Sequence, residues 1–146
     1  MRAVIQRVSS ASVAVGGEIV GGIGTGLLVL LGVGRGDGED AGRWICDKLL
    51  KLRVFEDADG KMNRNVVEAG GGILLVSQFT LYGSVEKGNR PGFDEAAPPE
   101  IAEALYGKAV EYLRSVSPVP VATGVFRASM AVSLVNDGPV TLLLER

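Results

Sequence analysis

The hydrophobic pattern divides the chain into several short strand-like segments and two segments with helical periodicity. The strand-like segments are rich in β-branched residues or form short apolar runs bounded by glycine. They are predicted at residues 3–15, 18–23, 27–33, 73–78, 119–124, 130–135 and 140–144. The pair Gly16-Gly17 separates the first two segments and predicts a hairpin turn. The apolar run at 27–33 is typical of a strand that is buried on both faces.

Two helices are predicted, one at residues 40–53 and one that begins near Pro98-Pro99-Glu100. Apolar residues recur at helical spacing in both segments: Ala41, Trp44, Ile45, Leu49 and Leu52 in the first, and Ala102, Leu105, Ala109, Tyr112 and Leu113 in the second. Between them, residues 83–99 form a long irregular stretch of the kind that often carries function. With no repeat or linker, the pattern predicts one α+β domain spanning residues 1–146, with antiparallel sheet and helices packed on one side.

Composition narrows the class of protein further. The chain has 146 residues and 47% hydrophobic residues, which is enough for a core without a covalent staple. Its longest apolar run, 27–31, is too short to cross a bilayer, so we expect no membrane partner. The charged start of the chain does not resemble a signal peptide, and the lone Cys46 cannot form an internal disulfide. These features predict a cytoplasmic protein.

The chain contains no histidine and one cysteine. A zinc site of the usual cysteine and histidine type is therefore nearly excluded, as are nucleophiles that are activated by histidine. We expect no metal and no cofactor. The net charge of −2 gives no sign of a nucleic-acid binder, and the basic residues are interpreted as solvated surface charge.

The segment Ser77–Gly83, with the sequence SQFTLYG, follows the apolar strand at 73–76 and is unusually polar. Taken alone, it is best interpreted as a strand with Phe79 or Leu81 in the core and its hydroxyl groups on the other face. A strand end that becomes polar is also a reasonable place for a substrate, which makes Ser77, Gln78 and Thr80 candidate site residues.

The segment Asn136–Thr141, with the sequence NDGPVT, joins two apolar strands. Because Asp-Gly is a strong hairpin signal, a plain turn is the favoured local interpretation. The proline is unusual there, since it removes a backbone donor at the mouth of a strand. A peptide bond before proline is also the one place where the cis form is accessible. A cis Gly138-Pro139 would turn consecutive carbonyl groups to one side.

Together these two segments resemble the paired signature of the D-aminoacyl-tRNA deacylases. The resemblance extends to the opening residues 1–8 (MRAVIQRV), to the loop at 87–93 (KGNRPGF), and to residues 124–126 and Met130. Two motifs in this order and at this spacing are a specific signal. One position departs from the pattern: Arg127 stands where a small residue, usually glycine, is expected.

The resemblance implies an enzyme that hydrolyses the ester bond at the 3′ end of D-aminoacyl-tRNA. It also implies a homodimer in which Gly138 and Pro139 of one subunit reach a pocket lined by Ser77, Gln78, Phe79 and Thr80 of the other. Carbonyl groups of the Gly-Pro loop would accept hydrogen bonds from the α-ammonium group of the substrate. An L-residue would then drive its Cβ into the loop, whereas glycine, including glycine mischarged on alanine tRNA, would pass this filter.

The expected fold is therefore α+β, with a mostly antiparallel, barrel-like β-sheet and two helices packed on one side, in a dimer. The supporting residues are Arg7, Met130 and Asn136. Arg7 is interpreted as a brace for the Gly-Pro loop or as a surface charge, and Met130 as pocket wall or core. Gln78 is expected to hold the substrate or its ribose.

Two mechanisms remain open at this point. Thr80 could be the nucleophile, although no base is evident to activate its hydroxyl group. Alternatively, backbone N–H groups near Phe79 and Thr80 stabilise the oxyanion while the ribose 2′-OH of the terminal adenosine assists the attack, which we favour. Two other functions also remain: a related editing deacylase that removes L-alanine from threonine tRNA, and a non-catalytic module that binds tRNA ends or small amino acids.

Overall fold

The computed structural model describes residues 1–146 and contains eight strands, two α-helices and one short 3-10 turn at Phe79–Tyr82. The strands are β1 (Arg2–Val15), β2 (Glu18–Ile23), β3 (Gly26–Gly32), β4 (Phe55–Glu56), β5 (Met62–Arg64), β6 (Gly72–Ser77), β7 (Val121–Thr123) and β8 (Ala131–Glu145). The helices are α1 (Glu39–Lys51) and α2 (Pro99–Val116). The predicted α+β class with two helices is confirmed.

Six strands form one mixed sheet in the order β2-β1-β3-β6-β7, with β8 also paired to β1. The pairings of β1 with β2, β3 and β8 are antiparallel, whereas β6 is parallel to both β3 and β7. Parallel pairing requires a long crossover, and here one helix lies in each connection. The helices therefore explain why one end of the sheet, β3-β6-β7, is parallel while the pairings of β1 are antiparallel.

The sheet curls until its two ends nearly meet, which gives it a barrel-like shape. Gly21 of β2 lies against the backbone of β7, so that a Cβ atom at Gly21 would be 2.3 Å from the carbonyl oxygen of Thr123. Only glycine allows this approach of two strands. The concave face between them is filled by a small apolar cluster of Val8, Ala11, Val13, Leu28, Leu74 and Val76.

Both helices cover the opposite face of the sheet. The main core contains 21 buried residues, among them Ile45 and Leu49 of α1 and Leu113 of α2, as the helical periodicity predicts. The hydroxyl group of Tyr106 donates a hydrogen bond of 2.8 Å to the carbonyl oxygen of Leu75, which ties α2 to β6. No helix in the structure combines the length and the apolar character that a membrane span requires.

The hairpin predicted at residues 136–141 is wrong. Residues 131–145 form one strand, β8, and both of its halves pair antiparallel with β1. In the pairing of β1 with β8, Gln6 lies opposite Thr141 and Val8 lies opposite Asn136. The stretch of β8 between these two pairs is longer than the matching stretch of β1, so its extra residues bulge out of a continuous strand. Because β1 is long enough to pair with both halves, the Asp-Gly signal produces a bulge here and does not reverse the chain.

The outer edge and face of β8 are uncovered. Among its residues, Val135 is 56% exposed and Leu143 is 78% exposed, although both lie in a regular strand. No other strand pairs with β8 except β1, so its second edge presents unpaired backbone groups. A long apolar edge of this kind is a surface on which another chain can pair or pack.

Strands β3 and β6 approach each other so closely at Gly26 that this position has no room for a side chain. A Cβ atom at Gly26 would lie 2.0 Å from the carbonyl oxygen of Gly72. We therefore expect Gly26→Ala to lower the free energy of unfolding by about 3 kcal/mol, because the two strands must separate. Urea denaturation measures this. Gly24→Ala is the control, since a Cβ atom there meets nothing within 4 Å; a similar loss in both variants would contradict the account.

Candidate functional site

A cavity of about 520 Å³ opens where β6 ends, between the start of α2 and the segment that follows β7. It is lined by 13 residues, nine of them hydrophobic and none acidic: Val33, Val76, Ser77, Gln78, Phe79, Ala97, Pro99, Ala102, Phe126, Arg127, Ala128, Met130 and Val132. Its uncharged polar side chains, Ser77 and Gln78, lie at the end of β6, and Arg127 supplies its one charge. An apolar cavity with a few convergent polar groups is typical of a small-molecule site.

At the end of β6 the chain passes from the sheet into the 3-10 turn, and two consecutive backbone N–H groups fall between the two hydrogen-bonding patterns. The N–H of Gln78 still extends the sheet, since it donates to the carbonyl oxygen of Leu31 at 2.8 Å. The chain then enters the 3-10 turn, whose first hydrogen bond runs from the N–H of Leu81 to the carbonyl oxygen of Gln78. The N–H groups of Phe79 and Thr80 precede this bond and have no acceptor within the turn. Phe79 lines the cavity, and Thr80 follows it directly in the chain.

The prediction that Phe79 or Leu81 would lie in the core is wrong. Strand alternation stops at Ser77, and the turn instead directs Tyr82 into the protein, where it is buried. Phe79 is 55% exposed and packs against Phe93 with a distance of 4.9 Å between ring centroids. The loop that contains Phe93 therefore lies beside the cavity.

Tyr82 anchors the turn from below. Its hydroxyl group lies 3.4 Å from the carboxylate of Asp37, which also accepts a hydrogen bond of 2.6 Å from the N–H of Gly34. The N-terminal ammonium of Met1 lies 2.7 Å from the same carboxylate. Burial, and next the negative charge of Asp37, raise the pKa of Tyr82 to about 12. This phenol therefore stays neutral at physiological pH and acts as a structural anchor.

The hydroxyl group of Thr80 has no base beside it. Thr80 is exposed, does not line the cavity, and accepts a hydrogen bond from the side-chain amide of Gln78. The chain contains no histidine, and none of the cavity residues is acidic. An amide N–H cannot remove a proton from the hydroxyl, so this environment does not activate Thr80 as a nucleophile.

Arg7 is the only buried charged residue of the chain. Its Nε donates to the carbonyl oxygen of Asp137 at 2.7 Å, and its Nη1 donates to the carbonyl oxygen of Val54 at 2.6 Å. The carboxylates of Glu56 and Asp137 lie within 3.9 Å of the guanidinium and balance its charge. The interpretation of Arg7 as a surface charge is therefore wrong.

The side chain of Asn136 joins the two ends of the bulge by hydrogen bonds to the backbone of Val140. Its side-chain oxygen accepts a hydrogen bond of 2.7 Å from the N–H of Val140, and its amide nitrogen donates to the carbonyl oxygen of Val140 at 3.1 Å. The Gly138-Pro139 peptide bond between these points is cis, and Gly138 has a φ of 144°, which glycine tolerates. Gly138 and Pro139 are held at their base and exposed at their tip.

The predicted site residues fall into two groups. Ser77, Gln78, Phe79 and Met130 line one cavity, and Thr80 is adjacent to it. Arg7, Asn136, Gly138 and Pro139 form the bulge and its brace, and none of these four lines that cavity. Within one chain, the structure does not bring the two groups together.

The sequence interpretation did not identify most of the apolar cavity wall, including Val33, Ala97 and Val132. These residues come from segments that are distant along the chain. Nothing in the local sequence distinguishes an apolar residue that lines a cavity from one that lies in the core. Two weak signals existed: Pro99 lies in the predicted helix entry, and Phe126 lies in the segment 124–130 that carries the family resemblance.

Other charged groups do not form a comparable site. A groove of about 390 Å³ between α1 and α2 is lined by Glu39, Arg43 and Lys108, which pair with one another. Arg43 and Lys108 share the carboxylate of Glu39, and Glu111 also lines the groove, so its two cations are matched by two carboxylates within the protein. No group of three or more cysteine, aspartate or glutamate side chains is placed to hold a metal ion.

A family model described as D-Tyr-tRNA(Tyr) deacylase matches residues 4–145. Similar proteins include D-aminoacyl-tRNA deacylases of Anaeromyxobacter dehalogenans, at 61% identity, and Desulfitobacterium hafniense, at 60%. The Chlorobaculum tepidum D-aminoacyl-tRNA deacylase is 56% identical. Each of these alignments covers 99% of this chain and 97% of the relative.

Solved structures show the same fold. One described as c-Myc DNA Unwinding Element Binding Protein has a TM-score of 0.93 and 46% identity, covering 100% of this chain and 99% of its own. Another, described as a probable eukaryotic D-amino acid tRNA deacylase, has a TM-score of 0.79 and 20% identity, covering 98% of this chain and 97% of its own. At that identity the second likeness concerns the fold alone.

The brace makes a prediction about stability. Arg7→Met leaves the carbonyl oxygens of Asp137 and Val54 without their donor, so we expect the free energy of unfolding to fall by about 2–3 kcal/mol. Arg7→Lys should recover only part of this, because one ammonium cannot reproduce the planar fork. Arg43→Met, which breaks an exposed ion pair, is the control and should cost less than about 1 kcal/mol. Equal losses at Arg7 and Arg43 would contradict the role of the brace.

Proposed function

Because the chain belongs to the D-Tyr-tRNA(Tyr) deacylase family, we propose that it hydrolyses the ester bond between a D-amino acid and the 3′ end of tRNA. The observation that carries this proposal is the turn at the end of β6: the N–H groups of Phe79 and Thr80 have no acceptor within it, and Phe79 lines an apolar cavity without acidic residues. Such donors suit the oxyanion that forms when an ester carbonyl is attacked. The named activity of the relatives agrees with this chemistry.

The reaction is ester hydrolysis by water. Water adds to the carbonyl carbon, and the negative charge that develops on the carbonyl oxygen is stabilised by the two N–H groups. The bond from that carbon to the ribose oxygen then breaks, and the ribose oxygen takes up a proton. The products are a free D-amino acid and tRNA. One oxyanion donor is typically worth about 2.7–4 kcal/mol, and positioning of the substrate contributes more.

We propose that the substrate itself assists proton transfer, through the 2′-OH of the terminal adenosine. The protein offers no imidazole, and the cavity offers no carboxylate. Thr80 is exposed and already receives a hydrogen bond from Gln78. The ribose hydroxyl, in contrast, lies beside the scissile ester in every aminoacyl-tRNA. Gln78 is then a positioning residue for the substrate or its ribose.

Selection for D-amino acids is assigned to Gly138 and Pro139. The exposed tip of the bulge would accept hydrogen bonds from the substrate ammonium through its carbonyl groups, while Arg7 and Asn136 hold its base. With the ammonium and the ester both held, an L-side chain would collide with the loop and a D-side chain would point away. Glycine has no side chain to collide, so glycyl-tRNA, including glycine on alanine tRNA, is also a substrate.

This filter requires a homodimer, because the loop does not line the cavity of its own chain. In a twofold dimer each chain supplies one loop and one cavity, which creates two equivalent sites. The uncovered edge and apolar face of β8 offer a surface for that association. Closing an exposed strand edge also removes the aggregation hazard that such an edge presents.

Comparing four substrates tests the activity and the filter. With nanomolar enzyme, D-Tyr-tRNA and D-Asp-tRNA should be hydrolysed at rates within about tenfold of each other, because no side-chain contact selects them. Gly-tRNA should also be hydrolysed, and L-Tyr-tRNA should be spared. Rapid loss of L-Tyr would overturn the filter and favour an editing deacylase for L-residues. Binding without turnover of any substrate would favour the non-catalytic module.

A second experiment separates the two mechanisms. Thr80→Ala should retain activity within about tenfold of the unmodified enzyme, whereas D-Tyr-tRNA that ends in 2′-deoxyadenosine should react at least about a hundredfold more slowly. Single-turnover rates measure both effects at the chemical step. If Thr80→Ala is inactive and the 2′-deoxy substrate reacts normally, then Thr80 is the nucleophile.

A further inference from the structure

Arg127 has an unusual backbone conformation. It is the third residue of a turn that is closed by a hydrogen bond of 3.2 Å from the N–H of Ala128 to the carbonyl oxygen of Val125. Its φ is 62°, and it is the only residue other than glycine in this chain with a positive φ. L-residues adopt this left-handed region at a cost, whereas glycine adopts it freely. An arginine here therefore works against the local backbone.

Nothing within the chain compensates for that cost. The side chain of Arg127 is exposed, and it takes part in none of the ion pairs or cation–aromatic contacts of the protein. Sparsely populated backbone conformations concentrate where ligands bind. The position of Arg127 agrees with this, because it lines the cavity that also contains Ser77, Gln78 and Phe79.

Arg127 is also the only charged residue in the lining of that cavity. A guanidinium that forms no ion pair and lines an apolar cavity without acidic residues favours an anionic ligand. Every aminoacyl-tRNA carries such an anion close to its ester: the 5′-phosphate of the terminal adenosine lies on the other side of the same ribose. The amino group of the substrate is a cation, and its side chain varies.

On the basis of the proposed function, we infer that Arg127 binds the phosphate group on the 5′ side of the terminal adenosine. The adenosine would then be held at two points, by the donors at Phe79 and Thr80 on its ester and by the guanidinium on its phosphate. Because the contact is to a group present in every tRNA, Arg127 strengthens binding of all substrates equally. A carboxylate on the amino-acid side chain is the other possible anion, and it is present only in D-Asp and D-Glu.

The test compares two small substrates, 3′-O-(D-tyrosyl)adenosine with and without a 5′-phosphate. Arg127→Asn removes the charge but tolerates a positive φ, and Arg127→Lys keeps the charge. Lys51→Gln, which neutralises an exposed cation at the end of α1, is the control. We expect Arg127→Asn to raise KM for the phosphorylated substrate about tenfold and to leave the other substrate unchanged. Arg127→Lys should restore most of the affinity.

Two further measurements sharpen the result. For D-Tyr-tRNA, the dependence of log KM on log salt should weaken by about 0.7 in Arg127→Asn, which is the value for one contact to a single-stranded phosphate. Arg127→Gly should raise the unfolding temperature by about 2–4 °C, since it removes the unfavourable φ. The residue would thus improve binding while lowering stability.

Several outcomes would overturn the inference. An equal loss on both small substrates would mean that Arg127 acts by shaping the cavity, and a loss confined to D-Asp-tRNA would indicate a side-chain carboxylate. A lower unfolding temperature in Arg127→Gly would mean that the arginine supports the fold. If the unmodified enzyme hydrolyses no D-aminoacyl substrate, the proposed function fails instead. Calorimetry then still tests Arg127, because 5′-AMP should bind more tightly than adenosine only when Arg127 is present.

Discussion

The position of the Gly138-Pro139 bulge depends on one buried cation. Strand β8 runs antiparallel to β1 over nearly its whole length, yet extra residues interrupt the pairing in the middle. Left alone, these residues would be free to move, since their backbone groups have no partner strand. The buried guanidinium of Arg7 donates to the carbonyl oxygens of Asp137 and Val54 and so joins the bulge to the segment after α1. A buried charge is tolerated there because two carboxylates lie beside it.

The opposite element of the proposed site is also made from backbone. Parallel pairing of β3 and β6 ends at Ser77, one further hydrogen bond extends it to Gln78, and the chain then turns. The N–H groups of Phe79, which lines the cavity, and of Thr80, which follows it, have no acceptor within the turn because the turn begins there. Tyr82, Asp37 and Gly34 hold this turn in place through side-chain and backbone contacts. A site built in this way needs no histidine, which is consistent with a chain that has none.

Much of the fold could be predicted from local patterns. The helices at 40–53 and after Pro98 follow from apolar residues at helical spacing, and Ile45, Leu49 and Leu113 are buried as that spacing requires. The strand after residue 72 follows from its apolar run. The parallel pairing of β6 with β3 and β7 could not be predicted in this way, because it depends on where long crossover connections return the chain.

The candidate site, like the fold, could be predicted only in part from local sequence patterns. The change to polar residues at a strand end points to Ser77 and Gln78, whereas Phe79 follows only from the family resemblance; all three line the cavity. The 3-10 turn that follows was not foreseen, since alternation predicts a strand and only tertiary contacts of Tyr82 show that the strand stops. The sequence predicts a hairpin at 136–141 where the structure has a bulge, because Asp-Gly indicates a local turn and says nothing about which strand its neighbours pair with. Burial of Arg7 likewise depends on Val54, which is 47 residues away along the chain.

The central claim is that a working site combines the cavity of one chain with the bulge of another. Mixing two inactive variants tests it most directly: Ala128→Trp, which fills the cavity, and Gly138→Val, which distorts the bulge. After the subunits exchange, a mixed dimer contains one site with an intact cavity and an intact bulge. The account predicts that deacylation of D-Tyr-tRNA returns to about a quarter of the unmodified activity, since half of the dimers are mixed and each has one of two sites. A mixture that exchanges subunits, as shown by native mass spectrometry, and stays as inactive as either variant would contradict it.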